Sequence, residues 1–155
     1  MRIYRIMVPL RASPAQRPRA TRGGIIYADP KTRDWQEQFR TLVYQQLKAP
    51  LIDTAVGLNV NIFSPRDPAK LNSGDIDNVL KNIMDALTKV AYTDDRIVVK
   101  TNIAVFKHTK DIIAVDVWEI DTNDWSTYIA PPMITHTLSA ITTNVSYQTG
   151  AFTLD

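Results

Sequence analysis

The chain has 155 residues and a mass of 17.5 kDa, which favours a single domain, and its 45% hydrophobic and 22% charged residues are typical of a globular protein with a packed core. Cysteine is absent, which excludes disulfides, thiolate nucleophiles and cysteine-ligated metals. The only imidazole side chains are those of His108 and His136, and we assign no role to either. Apolar runs are short and the N-terminus alternates apolar and polar residues, so we expect a cytoplasmic protein with no membrane partner.

Charge is distributed unevenly along the chain. Residues 1–40 carry nine Lys or Arg and three acids, residues 41–120 carry nine and ten, and residues 121–155 carry none and three. The arginine-rich beginning favours a polyanionic partner, because each phosphate that it neutralises releases condensed counterions. A solvated face or a flexible basic arm is an equally open interpretation at this point.

The first elements are a strand, a long loop and a helix. Residues 1–9 are predicted as a strand with apolar side chains on both faces. Residues 10–28 contain two prolines and the Gly23-Gly24 pair, which predicts a long loop with a short hairpin. Asp29 followed by proline is typical of a helix start, and the apolar face that follows predicts a helix ending before Pro50.

The following residues predict a strand, a helix and two more strands. Residues 56–64 alternate strictly, residues 77–89 have apolar side chains at helical spacing, and the Val- and Ile-rich residues 96–107 and 111–120 predict an antiparallel hairpin. The order of elements predicts an α+β fold, a small mixed β-sheet with two helices packed on one face.

The C-terminal residues 121–155 contain eight Thr and no Lys or Arg, which sets them apart from the preceding chain. We therefore divide the chain into a domain over residues 1–120 and a C-terminal extension of unknown role. A strand-like stretch at 137–143 is compatible with addition to the sheet or to a partner.

Five aspartates lie between residues 75 and 95. Two carboxylates about 4 Å apart repel by roughly 4 kcal/mol at an effective dielectric constant near 20, so a gathered cluster requires a cation or a proton. Oxygen ligands favour Mg²⁺ or Mn²⁺ over Zn²⁺. The five are Asp75, Asp77, Asp85, Asp94 and Asp95.

Each of these acids also has an ordinary structural interpretation. Asp77 is a candidate helix N-cap, Asp85 a solvated helix position, and Asp75, Asp94 and Asp95 are candidate turn residues. A helix over residues 77–89 spans about 18 Å and would separate the first pair of acids from the last. The sequence therefore predicts either a shorter helix or a homodimer with sites built across its interface.

Two segments of the chain resemble the signature of the RusA family of Holliday-junction resolvases. S-G-D-I-D-N-V-L-K-N-I-M-D-A-L contains the pattern D-x-D-N-x-x-K-x-x-x-D-A-L, and V-A-Y-T-D-D-R-I-V supplies a later acidic pair before a strand. The upstream Q-R-P-R-A-T-R-G-G-I-I-Y-A-D-P-K-T-R-D-W resembles the basic loop of phage-borne members. The resemblance covers residues 1–120 and implies a RusA-like fold and a homodimeric, Mg²⁺-dependent endodeoxyribonuclease. It also implies a four-way branched DNA substrate and paired nicks that leave 5′-phosphates.

The resemblance also implies site residues. The metal-binding carboxylates would be Asp75, Asp77 and Asp95, with Asp94 a weaker candidate, and Lys81 would be the essential basic residue. A bound ion would lower the pKa of a water molecule and neutralise the scissile phosphate, while Lys81 would stabilise developing charge. The ordinary alternative for Lys81 is an exposed lysine that pairs with a neighbouring acid on the same helix.

We assign contacts with the DNA backbone to basic residues of the long loop and the first helix. Phosphate contacts position a substrate without specifying its sequence, and the alternative is an unstructured basic loop. Tyr27 and Tyr92 are candidates for stacking at a junction or, more ordinarily, for the core. The assigned residues are Arg17, Arg19, Arg22, Lys31 and Arg33.

Two other functions compete with a junction nuclease. One is a non-catalytic DNA-binding or assembly protein on the same fold, and the other is a metal-dependent phosphohydrolase of nucleotides. The basic loop favours a polymer over a nucleotide, because a single nucleotide offers few phosphates to so many positive charges.

Overall fold

A computed structural model of the chain describes residues 2–48, 50–70, 75–129 and 151–153. Two helices, α1 (Pro30–Gln46) and α2 (Ile76–Leu87), pack on one face of a mixed sheet. The strands are β1 (Arg2–Val8), β2 (Arg19–Ala20), β3 (Ile26–Tyr27), β4 (Val56–Ser64), β5 (Val98–Lys107), β6 (Ile112–Glu119) and β7 (Ala151–Thr153). The five-stranded sheet has the order β5-β4-β6-β1-β7, and β2 and β3 form a separate hairpin. The predicted α+β fold is thus confirmed.

The helices follow the predicted apolar patterns. Asp29 is the N-cap of α1, with its side chain accepting a hydrogen bond from the Lys31 backbone N–H, and Phe39 and Val43 are buried against the sheet. In α2, Val79 and Ile83 are among the residues that pack into the same core cluster. Because α2 begins at Ile76, the alternative that Asp77 is its N-cap is wrong.

The predicted antiparallel hairpin of β5 and β6 is wrong, although both strands exist. β4 lies between them, parallel to β5 and antiparallel to β6. All nine residues of β4 are buried, which suits a central strand covered on both faces. The connection after β5 therefore passes the end of β4, where Ser64 O accepts a hydrogen bond from the His108 N–H and Ser64 Oγ donates to the Asp111 carboxylate.

The sheet face opposite the helices carries a polar row across four strands. Arg5 forms a two-bond ion pair with Asp116 on the adjacent strand at 2.9 and 3.1 Å, and Asn59 is aligned with Asp116 on the other side. Asn102 on β5 extends the row by donating to Asn59 Oδ1 at 2.9 Å. Burial raises the pKa of Asp116, and Arg5 opposes that shift.

A short 3-10 helix at Trp125–Tyr128 follows the β6 end of the sheet. The indole N–H of the fully buried Trp118 donates to Thr127 O at 2.8 Å, and the Trp118 ring lies directly over Gly57. β7 then pairs antiparallel with β1. The strand-like stretch at 137–143 and His136 lie outside the described residues. Among the residues described, no helix is both long enough and apolar enough to cross a bilayer.

Candidate functional site

Asp75 and Asp77 lie at the N-terminal end of α2. Asp75 occupies the N-cap position, and its backbone oxygen accepts hydrogen bonds from the Asn78 and Val79 N–H groups at 3.0 and 3.3 Å. The Asp75 side chain makes no capping hydrogen bond, and both carboxylates are exposed. Negative charge is favoured at this end of a helix by the helix dipole. Two carboxylates are therefore accessible to an external ligand at one helix terminus.

A tight turn after α2 brings Asp95 back towards the helix. Lys89 adopts a left-handed conformation with φ of 66°, and its N–H donates to Tyr92 O at 2.7 Å. The buried Tyr92 then donates its hydroxyl hydrogen to Met84 O at 2.9 Å, which fixes the returning chain against α2. Asp95 begins the next short 3-10 helix, Asp95–Ile97. Tyr92 is thus a core residue, the ordinary alternative given for it.

The pKa of the Asp85 carboxylate is affected by burial and by the charge of Asp95. Burial raises the pKa of Asp85, Lys81 opposes the shift, and the negative charge of Asp95 adds to it. Arg40 lies close as well, and its guanidinium donates to the backbone oxygens of Asp85 and Ala86. The ordinary interpretation of Asp85 was a solvated helix position, whereas it is partly buried and lies near Asp95 and Arg40, which belong to other elements.

Asp94 is engaged by Arg96. Its carboxylate accepts hydrogen bonds from the Arg96 backbone N–H, Nε and Nη2 at 2.8–3.0 Å, and these bonds hold the pKa of Asp94 well below its usual range. Asp94 therefore caps the short 3-10 helix, as a turn-forming acid does, and its oxygens already have partners.

The acids form two groups along α2. Asp77 and Asp85 are eight residues apart, which is about 12 Å along a helix axis, and the exposed Lys81 lies midway between them. Within the ranges that the structure describes, no three Asp, Glu or His side chains are arranged so that they could hold one metal ion. In this conformation Asp95 lies near enough to Asp85 for its charge to raise the pKa of that residue.

The basic loop before α1 is fastened to both helices. Ser13 O accepts a hydrogen bond from Asn82 Nδ2 at 2.9 Å, and the Ala15 N–H donates to Asn78 O at 3.2 Å. The Gln16 N–H donates to Thr32 Oγ1 at 2.9 Å on α1. The loop consequently runs beside the first turns of α2, next to Asp77. The fully buried Asn82 shows no pattern in the sequence that would have identified it as an anchor.

The predicted hairpin at the glycine pair is confirmed, and its base is anchored by Arg19. Arg19 Nε lies 2.7 Å from the carboxylate of Asp29, whose side chain is 3% exposed. Arg17 and Arg22 are exposed and form no ion pair with an acid of the described residues, whereas Arg33 lies 4.0 Å from the exposed Asp34. Lys31 is also exposed. Several cations of this segment are thus accessible to a polyanion, while Arg19 is already engaged in an ion pair.

The two remaining candidates, Tyr27 and His108, lie in different surroundings. Tyr27 is 43% exposed on the hairpin. His108 packs edge-on against Phe63 and accepts a hydrogen bond from the Lys110 N–H, so it belongs to the turn between β5 and β6.

Comparison with known proteins identifies the family. The profile of the family described as Endodeoxyribonuclease RusA matches residues 9–118, more than two-thirds of the chain. No curated protein matches the chain. The match includes the basic loop, the acids of α2 and the turn that returns Asp95. The chain belongs to the RusA family of endodeoxyribonucleases.

Proposed function

We propose that the chain is a Mg²⁺-dependent, structure-selective endodeoxyribonuclease that resolves four-way DNA junctions by paired nicks. The observation that carries the proposal is the basic loop held by hydrogen bonds beside the exposed carboxylates of Asp75 and Asp77. Because the loop backbone is bound to the first turns of α2, we expect its cations to contact the DNA phosphates near these acids. The proposed products carry 5′-phosphates.

The donor set fits a hard cation. Asp75 makes no capping hydrogen bond, and Asp77 and Asp95 are exposed, so each can offer carboxylate oxygen, the ligand type that Mg²⁺ prefers. We assign the ion to Asp75, Asp77 and Asp95. Asp94 is a weaker candidate, because its carboxylate oxygens already accept hydrogen bonds from the Arg96 guanidinium. When bound, the ion would lower the pKa of a water molecule and reduce the charge of the scissile phosphate.

Lys81 is the residue of α2 best suited to act on the phosphate. It lies one turn beyond Asp77 and is exposed, so its ammonium group can reach a DNA backbone on the acidic side of the helix. A positive charge there stabilises the negative charge that accumulates on the phosphate oxygens during hydrolysis. Lys81 also lies near enough to Asp85 for its positive charge to oppose the rise in the pKa of that acid.

The homodimer is part of the same proposal. Paired nicks require two active sites, and a second chain can supply a ligand that one chain does not hold near the others. Because no three acids of the described residues are placed to hold one ion, a site shared between subunits is a specific alternative to a rearranged site within one chain. Size-exclusion chromatography with light scattering measures the oligomeric state directly.

The first experiment compares wild-type protein with Asp77→Asn on synthetic four-way, flap and linear DNA. We expect wild-type protein to nick the four-way junction with Mg²⁺ and not in the presence of a chelator. The variant should bind the junction but nick it at least about 100-fold more slowly. Glu37→Gln, an exposed acid on α1, is the matched control and keeps full activity. Junction binding without metal-dependent nicking by wild type would instead favour a non-catalytic DNA-binding protein.

A second experiment distinguishes sites within one chain from sites shared between two. Asp77→Asn and Asp95→Asn chains are mixed under conditions that exchange subunits. If Asp77 and Asp95 of different chains form one site, each mixed dimer contains one intact site and nicks one strand. If they belong to one chain, the mixed dimers are as inactive as the parents. Hydrolysis of free nucleotides by wild-type protein would instead point to a phosphohydrolase.

A further inference from the structure

The β2-β3 hairpin exposes consecutive large apolar side chains from the end of its turn into β3, a segment that we call the apolar tip. Ile25 is 68% exposed, Ile26 is 73% exposed and Tyr27 is 43% exposed. Isolated exposed apolar residues are common on protein surfaces, but three in succession cost solubility unless they contact a partner. Neither isoleucine belongs to the core clusters formed by the described residues.

The hairpin presents these side chains in a defined geometry. The Gly24 N–H donates to Thr21 O, and the Thr21 N–H donates to Ile25 O, both at 2.9 Å. Gly24 has φ of 79°, the left-handed conformation that completes a three-residue hairpin turn at little cost for glycine. Thr21 Oγ1 accepts a third bond from the Ile25 N–H at 3.1 Å. The apolar tip is thus formed before any partner binds.

The position of the tip indicates the partner. Arg17, Arg19 and Arg22 precede it in the sequence, and the Arg19–Asp29 ion pair joins the base of the hairpin to the start of α1. The same loop is bound to α2 beside Asp77. An apolar tip within a basic segment suits duplex nucleic acid, because cations bind the phosphates while apolar side chains insert between bases. An apolar protein surface would offer no counter-charge to the exposed Arg17 and Arg22.

We infer that Ile25 and Ile26 form a wedge that enters the open base stack at a DNA branch point. This inference rests on the proposed function and adds to it the residues that select branched over linear DNA. Insertion costs least where stacking is already interrupted, so the wedge favours junctions, whereas the surrounding arginines bind any duplex. Tyr27 follows the wedge and is available to stack on a displaced base.

The test uses the full chain and a four-way junction with 2-aminopurine at the branch, in chelator so that no strand is cut. Wild-type protein should raise the fluorescence of the branch-point base and leave a probe within an arm unchanged. Ile25→Ser combined with Ile26→Ser should abolish the rise and lower the ratio of junction to linear-duplex affinity about tenfold, with linear-duplex affinity nearly unchanged. Tyr44→Ser, which removes a 74% exposed side chain from α1, is the matched control.

The outcomes separate the wedge from the nuclease activity. Because both isoleucines are exposed, the double variant should keep its unfolding midpoint, and Ile25→Leu with Ile26→Leu should restore the fluorescence signal. A serine double variant that retains both the fluorescence rise and the junction preference overturns the wedge, even if wild type nicks junctions with Mg²⁺. Wild-type protein that neither binds nor nicks DNA overturns the proposed function itself.

Discussion

Asp29 makes two interactions, a helix-capping hydrogen bond and an ion pair, and substitutions at this position should distinguish their contributions to stability. Its carboxylate accepts a hydrogen bond from the Lys31 backbone N–H at 3.0 Å as the N-cap of α1, and it lies 2.7 Å from Arg19 Nε at the base of the basic hairpin. Loss of an N-cap costs about 1 kcal/mol. The Arg19 side chain is 62% exposed, so its ion pair contributes only about 0.2–1 kcal/mol.

These magnitudes give an order among three variants. Asp29→Asn keeps a capping oxygen and loses the ion pair, so we expect a decrease of less than about 1 kcal/mol in the free energy of unfolding. Arg19→Gln loses the same pair and serves as the matched control with a similar decrease. Asp29→Ala loses both interactions and should be less stable by about 1–2 kcal/mol, a fall in melting temperature of roughly 2–8 °C for a chain of this length.

Urea unfolding followed by far-ultraviolet circular dichroism measures the three free energies under identical conditions. The double variant Asp29→Ala, Arg19→Gln closes a cycle and should be no less stable than Asp29→Ala alone, because the ion pair is already lost. The reasoning is refuted if Asp29→Ala is as stable as Arg19→Gln, since the cap would then contribute nothing. It is also refuted if Asp29→Asn is as unstable as Asp29→Ala.

Three other substitutions test the core, the buried ion pair and the basic loop. Gly57→Ala places a methyl group 2.2 Å from ring atoms of Trp118, so we expect a loss of about 1–3 kcal/mol in urea unfolding, and an unchanged midpoint would contradict the packing. Arg5→Met removes the ion-pair partner of the Asp116 carboxylate, whose side chain is 0% exposed. We expect this to lower the free energy of unfolding by about 3–5 kcal/mol near pH 7. Because burial raises the pKa of Asp116, its protonation relieves that cost as the pH falls towards the unfolded value, and a deficit independent of pH would refute this account. Arg22→Gln should lower the slope of log affinity for DNA against log salt by about one, and an unchanged slope would exclude a phosphate contact.

Local patterns predicted the elements but not which strands pair. Helical spacing located α1 and α2 to within a few residues, and the glycine pair located the β2-β3 hairpin. Alternation in β4 indicated one buried face, because Asn59 and Asn61 occupy the other positions. Both asparagines are nevertheless buried, and β4 separates β5 from β6. Alternation determines which face a side chain occupies, whereas the neighbouring strand depends on the packing of the whole sheet.

The site was predictable only where its residues are close in the sequence. The acids before and within α2 and the cations of the loop were evident from their spacing. The proximity of Asp85 to Asp95 was not, because it depends on a turn in which Lys89 rather than glycine adopts the left-handed conformation. The ion pair between Arg19 and Asp29 was not predicted either, because the sequence pattern around Asp29 already indicated a helix N-cap.

The charges at the start of α2 explain why DNA binding and hydrolysis should respond differently to Asp77→Asn. A phosphate about 4 Å from an exposed carboxylate is repelled by roughly 1 kcal/mol in water, so Asp75 and Asp77 oppose DNA binding in the absence of a cation. Attraction must then come from the basic loop held beside them by Asn78 and Asn82. Removing one carboxylate therefore leaves that attraction intact and reduces the repulsion. For this reason the variant should bind junctions at least as tightly as wild type in chelator, while losing the ligand on which hydrolysis depends.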